Sequence, residues 1–181
     1  MFNHSKVVMK LQPINLERFG AVVVDMQPYF LEEISSSDKS KLFIYQKKIL
    51  EICAKRDYPI ISLEFSPDRY GKINEELKSI IKSAPRYNFL EKDIVNGFSK
   101  IEEQIEKWDI DELCFMGIYA SYCVKETASS AISKGKRILT TRELIANRIS
   151  KQEEFDACIP WFQKNGMHEY TDLVSKITSS N

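Results

Sequence analysis

Apolar positions alternate between two periods along this chain. Gly20-Ala21-Val22-Val23-Val24-Asp25 is a continuous apolar run ending on a carboxylate, the pattern of a parallel strand covered on both faces. Ser35-Ser36-Ser37-Asp38 offers a helix start, and Leu42, Tyr45, Ile49, Ile52 and Cys53 follow at helical spacing. Pro59-Ile60-Ile61-Ser62-Leu63-Glu64-Phe65 reads as a second strand. A polar loop, residues 66–72, leads to a shorter helix carrying Leu77, Ile80 and Ile81. Residues 83–98 read as irregular, with Pro85, Asn96 and Gly97.

The second half repeats the alternation. Ser99-Lys100-Ile101-Glu102 reads as a capping box before a helix with Ile101, Ile105 and Trp108 on one face. Glu112 to Gly117 is a short buried strand, and residues 123–134 are a helix with Val124, Ala128, Ala131 and Ile132 on one side. Lys134-Gly135 stops it. Arg137 to Thr141 is a fourth strand. Ser150-Lys151-Gln152-Glu153 reads as a second capping box, opening a helix with Phe155, Cys158, Ile159 and Phe162 that ends at Gly166. A last short strand is expected near His168–Tyr170. Strands alternating with helices predict a three-layer αβα, doubly wound, Rossmann-like domain with a mainly parallel sheet, spanning residues 1–181 as one unit.

Composition narrows the function. The chain has 181 residues, enough for a sizeable core, and 26 basic against 26 acidic residues. No basic excess points to nucleic acid. The first residues lack the apolar core of a signal peptide and no apolar run reaches membrane length, so no membrane partner and a cytoplasmic location are expected. Four dispersed cysteines argue against a disulfide scaffold or a zinc finger. The two histidines, His4 and His168, lack a nearby nucleophile signature and read as surface or structural residues.

One cysteine has a site-like context. Cys123 opens the helix that follows the strand ending at Gly117, where backbone N–H groups favour a thiolate and can hold an oxyanion. Cys53 and Cys158 lie on apolar helix faces and Cys114 inside a strand, so they read as small buried hydrophobes. Asp25 also falls at the carboxyl end of a strand, where functional groups gather in such sheets.

Three blocks over roughly residues 18–145 resemble the isochorismatase-like cysteine hydrolases, which include nicotinamidases, N-carbamoylsarcosine amidohydrolases and ureidoacrylate amidohydrolases. They are Ala21 to Asp25 with Met26-Gln27-Pro28-Tyr29-Phe30; Asn96-Gly97-Phe98 with Ile101, Ile105 and Ile110; and Gly117-Ile118 to Cys123-Val124 with Thr127-Ala128, Ala131 and Gly135. The resemblance implies a catalytic set of Asp25, Lys92 and Cys123. Lys92 stands six residues before Phe98, with Lys82 and Arg86 as competitors, and the stretch from Phe98 to Ile101 is shorter than the family pattern. It further implies a cis peptide at Ile118–Tyr119, an oxyanion hole from the N–H groups of Tyr119 and Cys123, and substrate contacts from Phe30, Phe98 and Tyr119.

In those roles Asp25 takes the thiol proton and passes it to the leaving amine, Lys92 holds the carboxylate and favours the thiolate, and Cys123 attacks a carbonyl carbon to give a thioester. A phosphatase reading of Asp25 wants a second aspartate two positions on, and Gln27 stands there. Nicotinamidases bind a metal after the second strand through an Asp and several histidines. Here Glu64 to Gly71 contains no histidine, so no metal and no cofactor are expected. Tyr119 replaces a residue that is small in many members and narrows the pocket. The expected function is cysteine-dependent C–N hydrolysis of a small amide, ureide or carbamoyl compound. The alternatives are vinyl-ether hydrolysis with Cys123 dispensable, or a non-catalytic interaction subunit. The resemblance also implies a homo-oligomer.

Overall fold

The computed structural model describes residues 13–179; His4 and most of the lead-in segment lie outside them. Among the described residues six strands form one sheet, all neighbours parallel. They are β1 (Phe19–Val24), β2 (Ile60–Phe65), β3 (Tyr87–Lys92), β4 (Glu112–Ile118), β5 (Arg137–Leu139) and β6 (Ile145–Ala146). The order is β3-β2-β1-β4-β5, with β6 pairing the end of β4. The order reverses between β1 and β4, which makes that boundary the topological switch point.

The pleat of β1 divides the core. Phe19, Ala21 and Val23 join one apolar cluster, Val22 and Val24 the other. The first cluster is closed by α2 (Ser36–Lys55) through Leu42, Ile49 and Cys53, by α4 (Glu75–Ser83) through Leu77 and Ile81, and by α8 (Tyr170–Thr178) through Leu173 and Ile177. The second is closed by α5 (Phe98–Lys107) through Ile101 and Ile105, by α6 (Lys125–Ser133) through Ala128 and Ala131, and by α7 (Gln152–Asn165) through Phe155 and Phe162. The layers are therefore αβα. Two single-turn helices, α1 (Pro28–Leu31) and α3 (Pro67–Tyr70), cap the carboxyl edge after β1 and β2. Among the described residues no helix is long and apolar enough to cross a membrane.

The structure corrects several local expectations. Residues 87–92, read as irregular, form β3. It is an edge strand paired only to β2, and its mixed exposure leaves no apolar run to betray it. Ser99 does not cap α5. The helix begins two residues earlier, at Phe98 with Gly97 at the cap, and the Phe98 N–H donates to Asn96 Oδ1 at 3.0 Å. Ser150 does not cap α7 either. It lies in a 3₁₀ turn, Ile149–Lys151, pinned by Asn147 Nδ2 donating to the Lys151 carbonyl at 3.1 Å. The strand expected near His168 reduces to an isolated bridge between Thr140 and Met167, because the chain turns into α8 at Tyr170. A single π-helical turn, Ala120–Val124, precedes α6, so Cys123 lies inside that turn and not at an ordinary helix start.

Candidate active site

The sheet register brings three strand ends together. Val24 pairs with both Leu63 and Gly117, and Phe65 pairs with Lys92. Asp25 therefore leaves β1 beside the end of β4, while Lys92 closes β3 on the same edge. Gly117 permits the close approach of β4. A Cβ there would lie 2.1 Å from the Val24 carbonyl oxygen, and its φ of +138° excludes side chains independently. Asp25 itself has φ 54°, the left-handed region that aspartate tolerates, and this turns the chain sharply out of β1.

Asp25 and Lys92 form a buried ion pair, Nζ to Oδ2 2.9 Å, with side chains 2% and 0% exposed. The ammonium also donates to the carbonyls of Ile94 (3.3 Å) and Val95 (3.4 Å), and lies 4.7 Å from the centre of the Phe65 ring. Its three protons are thereby directed, which compensates part of its desolvation. The Cys123 thiol is a side-chain hydrogen-bond partner of the Asp25 carboxylate, and Oδ1 has no other partner among the described residues. Lys82 and Arg86 lie elsewhere: Lys82 in the last turn of α4, Arg86 against Asp57.

Cys123 and Asp25 line one cleft of about 280 Å³. Burial pushes the Cys123 thiol up to about 12; the neighbouring Asp25 charge adds to this and Lys92 opposes it. Burial likewise raises Asp25, against the pull of Lys92. Desolvation thus outweighs the lysine for both groups, and the resting cysteine holds its proton at neutral pH. The thiolate-favouring effect expected of a helix start is overruled here.

The nucleophile turn is braced from two sides. Thr127 Oγ1 donates to the Cys123 carbonyl (2.7 Å) and accepts the Gly97 N–H (2.9 Å). Asn147 Oδ1 accepts the Ser121 N–H (3.1 Å), and its Nδ2 donates to Ser121 Oγ (2.7 Å). Gln27, fully buried, clamps the edge of β2: its Oε1 accepts the Phe65 N–H at 2.7 Å and its Nε2 donates to the Phe65 carbonyl at 3.0 Å. The Ile118–Tyr119 peptide is cis.

Phe30 and Tyr119 line the cleft, edge to face at 5.9 Å. Phe98 does not line it. Its ring belongs to the buried apolar cluster beneath α5, with Val22, Val24 and Leu63. Sequence reasoning missed Phe65, Val95, Tyr122, Arg148 and Lys151, which complete the walls. The placement of 147–151 directly after a strand end was the available signal, and it was hidden because β6 has only two residues.

The segment after β2 does not suit a metal. Glu64 is buried, and its Oε1 accepts the Ile73 N–H at 3.2 Å. Among the described residues no group of three or more His, Cys, Asp or Glu could hold an ion. His168 is remote from the cleft. Its ring Nδ1 contacts Lys176 Nζ (3.3 Å), its backbone N–H donates to the Thr140 carbonyl, and burial lowers its pKa to about 4.

Residues 20–156 match the family described as Isochorismatase domain. No curated protein matches the chain. Among solved structures, the chain is similar to the MAR1 ribonuclease from Caenorhabditis elegans, with 16% identity, TM-score 0.81, and 93% of this chain and 85% of that one covered. It is also similar to the YcaC gene product from Escherichia coli, described as an octameric hydrolase of unknown specificity, with 15% identity, TM-score 0.74, and 92% and 82% covered. The nicotinamidase SaPncA from Staphylococcus aureus aligns at 17% identity, TM-score 0.73, with 84% of this chain and 99% of that one covered. At these identities the likeness is one of fold.

Proposed function

The chain belongs to the isochorismatase-like hydrolase family, and from that premise we propose that it is a cysteine-dependent amidohydrolase cleaving a C–N bond of a small amide, ureide or carbamoyl compound. One observation carries this reading. The Asp25 carboxylate and the Cys123 thiol share one cleft and interact as side-chain hydrogen-bond partners, while Asp25 Oδ2 is fixed by the buried Lys92.

In the reaction Asp25 Oδ1 takes the proton from Cys123 Sγ as sulfur attacks the substrate carbonyl carbon. The developing oxyanion is held by the N–H groups of Tyr119 and Cys123. The C–N bond breaks, Asp25 gives its proton to the leaving nitrogen, and an acyl thioester remains. Water then attacks the thioester. Asp25 takes the water proton and returns it to sulfur, releasing the acid. Burial of Asp25 makes it a stronger base than a free carboxylate, which suits it to accept a thiol proton. Lys92 lowers both partners' pKa values, so it stabilises whichever carries the negative charge.

The donor set after β2 supports a mechanism without a metal. An RNA reading, suggested by the name of the MAR1 relative, would need a basic track. The chain has a formal net charge of zero, and the cleft cations Arg148 and Lys151 stand beside Glu33 and Glu154. The YcaC product is described as octameric, and a homo-oligomer is our reading for this chain too. The test is release of ammonia or amine from a panel of small amides and ureides, with Cys123→Ala beside the parent protein. Turnover lost in Cys123→Ala is the expected result; turnover retained in that variant, or cleavage of a vinyl ether in its place, would sink it.

A further inference from the structure

The helix that follows the nucleophile also grips the loop that holds the lysine. Lys92 Nζ donates to the carbonyls of Ile94 and Val95, so the backbone of residues 93–97 sets where the ammonium stands. Ile94 and Val95 are exposed, and apolar burial does little to hold this loop. Two hydroxyls of α6 hold its far end instead. Thr127 Oγ1 accepts the Gly97 N–H at 2.9 Å, and Ser130 Oγ accepts from Asn96 Nδ2 at 2.7 Å.

Thr127 faces both ways. It is fully buried, and its one hydroxyl proton goes to the Cys123 carbonyl, four residues back, at 2.7 Å. With that proton committed, the oxygen serves Gly97 as an acceptor only. The Cys123 carbonyl belongs to the π-helical turn, in which the Val124 N–H reaches the Tyr119 carbonyl, five residues back, at 3.2 Å. One buried oxygen therefore joins the wide turn that carries the sulfur to the loop that carries the ammonium. Thr127 does not line the cleft, so it is out of a substrate's reach.

We infer that Thr127, assisted by Ser130, is a positioning residue for Lys92: hydroxyls on the nucleophile's own helix fix the loop whose carbonyls hold the ammonium beside Asp25 and Cys123. Its effect on turnover rests on the hydrolase reading; its effect on the thiol does not.

Thr127→Val keeps the side chain's shape and leaves the buried Gly97 N–H without its acceptor. The loop then shifts to regain a partner, and the ammonium shifts with it. Lys92 lowers the Cys123 pKa, so its withdrawal raises it. Iodoacetamide labelling of Cys123 at fixed pH should fall about three- to tenfold in Thr127→Val and hold the parent's rate in Thr127→Ser. Ser130 is only partly buried, so Ser130→Ala is expected to fold, and it should slow labelling by a smaller factor. On a hydrolysed amide, kcat should fall in Thr127→Val while KM holds, because no group touching the substrate has changed. A role confined to packing gives the opposite sign: a loosened site opens more often and its buried thiol labels faster. Labelling that is unchanged or faster in Thr127→Val, or in Ser130→Ala where Thr127→Val does not fold, overturns the inference. So does Thr127→Ser labelling as slowly as Thr127→Val. Slower labelling in a protein whose parent hydrolyses no amide keeps the positioning role and removes the hydrolase reading. Amide turnover with unchanged labelling does the reverse.

Discussion

The Lys92 side chain runs over bare backbone at Gly97: a methyl group on that glycine would lie 2.8 Å from Lys92 Cδ and 2.7 Å from Leu63 Cδ1. Leu63 is buried in the second core cluster and cannot retreat cheaply, so the lysine stem must move. Gly97→Ala should therefore displace Nζ from Asp25. We expect kcat/KM to fall by about 10²-fold, the usual cost of a misplacement near 1 Å, with the fold retained. Steady-state kinetics beside a thermal melt checks this; unchanged kcat/KM in a folded variant would show that the lysine position is not critical.

The Asp25–Lys92 pair should be costly to break from one side only. Lys92→Ala leaves a carboxylate buried without its counter-charge and is expected to destabilise the fold by about 3–5 kcal/mol. The double variant Asp25→Asn with Lys92→Met removes both charges and should recover most of that loss while remaining inactive. Urea unfolding of the two variants decides it: equal stability would mean that the pair does not set the cost.

The pH dependence of Cys123 follows from its raised pKa. An ordinary thiol titrates near 9.0, whereas this one is pushed up to about 12 by burial and then by Asp25. Between those values the folded protein holds a proton that the unfolded chain has released. This group's contribution to stability is therefore present below pH 9 and is lost as pH rises toward 12. Iodoacetamide labelling of Cys123 should climb with pH through 9 without levelling. Asp25→Asn should speed it at any given pH and Lys92→Ala should slow it, because the Asp25 charge raises the thiol pKa and the Lys92 charge lowers it. Peptide masses locate the label; faster labelling of Cys53, Cys114 or Cys158 in the folded protein would contradict the assignment of Cys123.

Chelation should leave turnover unchanged. Glu64, near the end of β2, is already engaged by the Ile73 N–H. Activity lost to a chelator and restored by zinc or iron would contradict this.

Periodicity was a good guide where burial was complete and a poor one where it was not. β1 and β4, covered on both faces, stand out as apolar runs, and the αβα architecture follows from them. β3 did not, because an edge strand with half-exposed residues has no binary pattern. Asp25 and Cys123 were legible as strand-end residues within motif blocks, and Lys92 by its distance from Phe98. Phe98 was expected to touch the substrate because motif spacing does not say which way a ring points; in the structure it is buried in the apolar cluster beneath α5. The Cys123 pKa could not be read from a helix start, since desolvation is set by neighbours distant in sequence. Arg148 was invisible for the same reason. Its place in the cleft wall comes with Tyr119 and Glu33, which only the folded chain brings to it.

Asp25, Lys92 and the turn of Cys123 are hung from the ends of β1, β3 and β4, whose mutual offsets are set by ladder hydrogen bonds. The walls have another origin: Phe30 belongs to α1, Val95 to the link between β3 and α5, and Arg148 to the segment after β6. Reactivity and discrimination are thus separable inheritances. A descendant, or a library built by exchanging residues 147–151, can acquire a new ligand preference while the reactive atoms keep their coordinates.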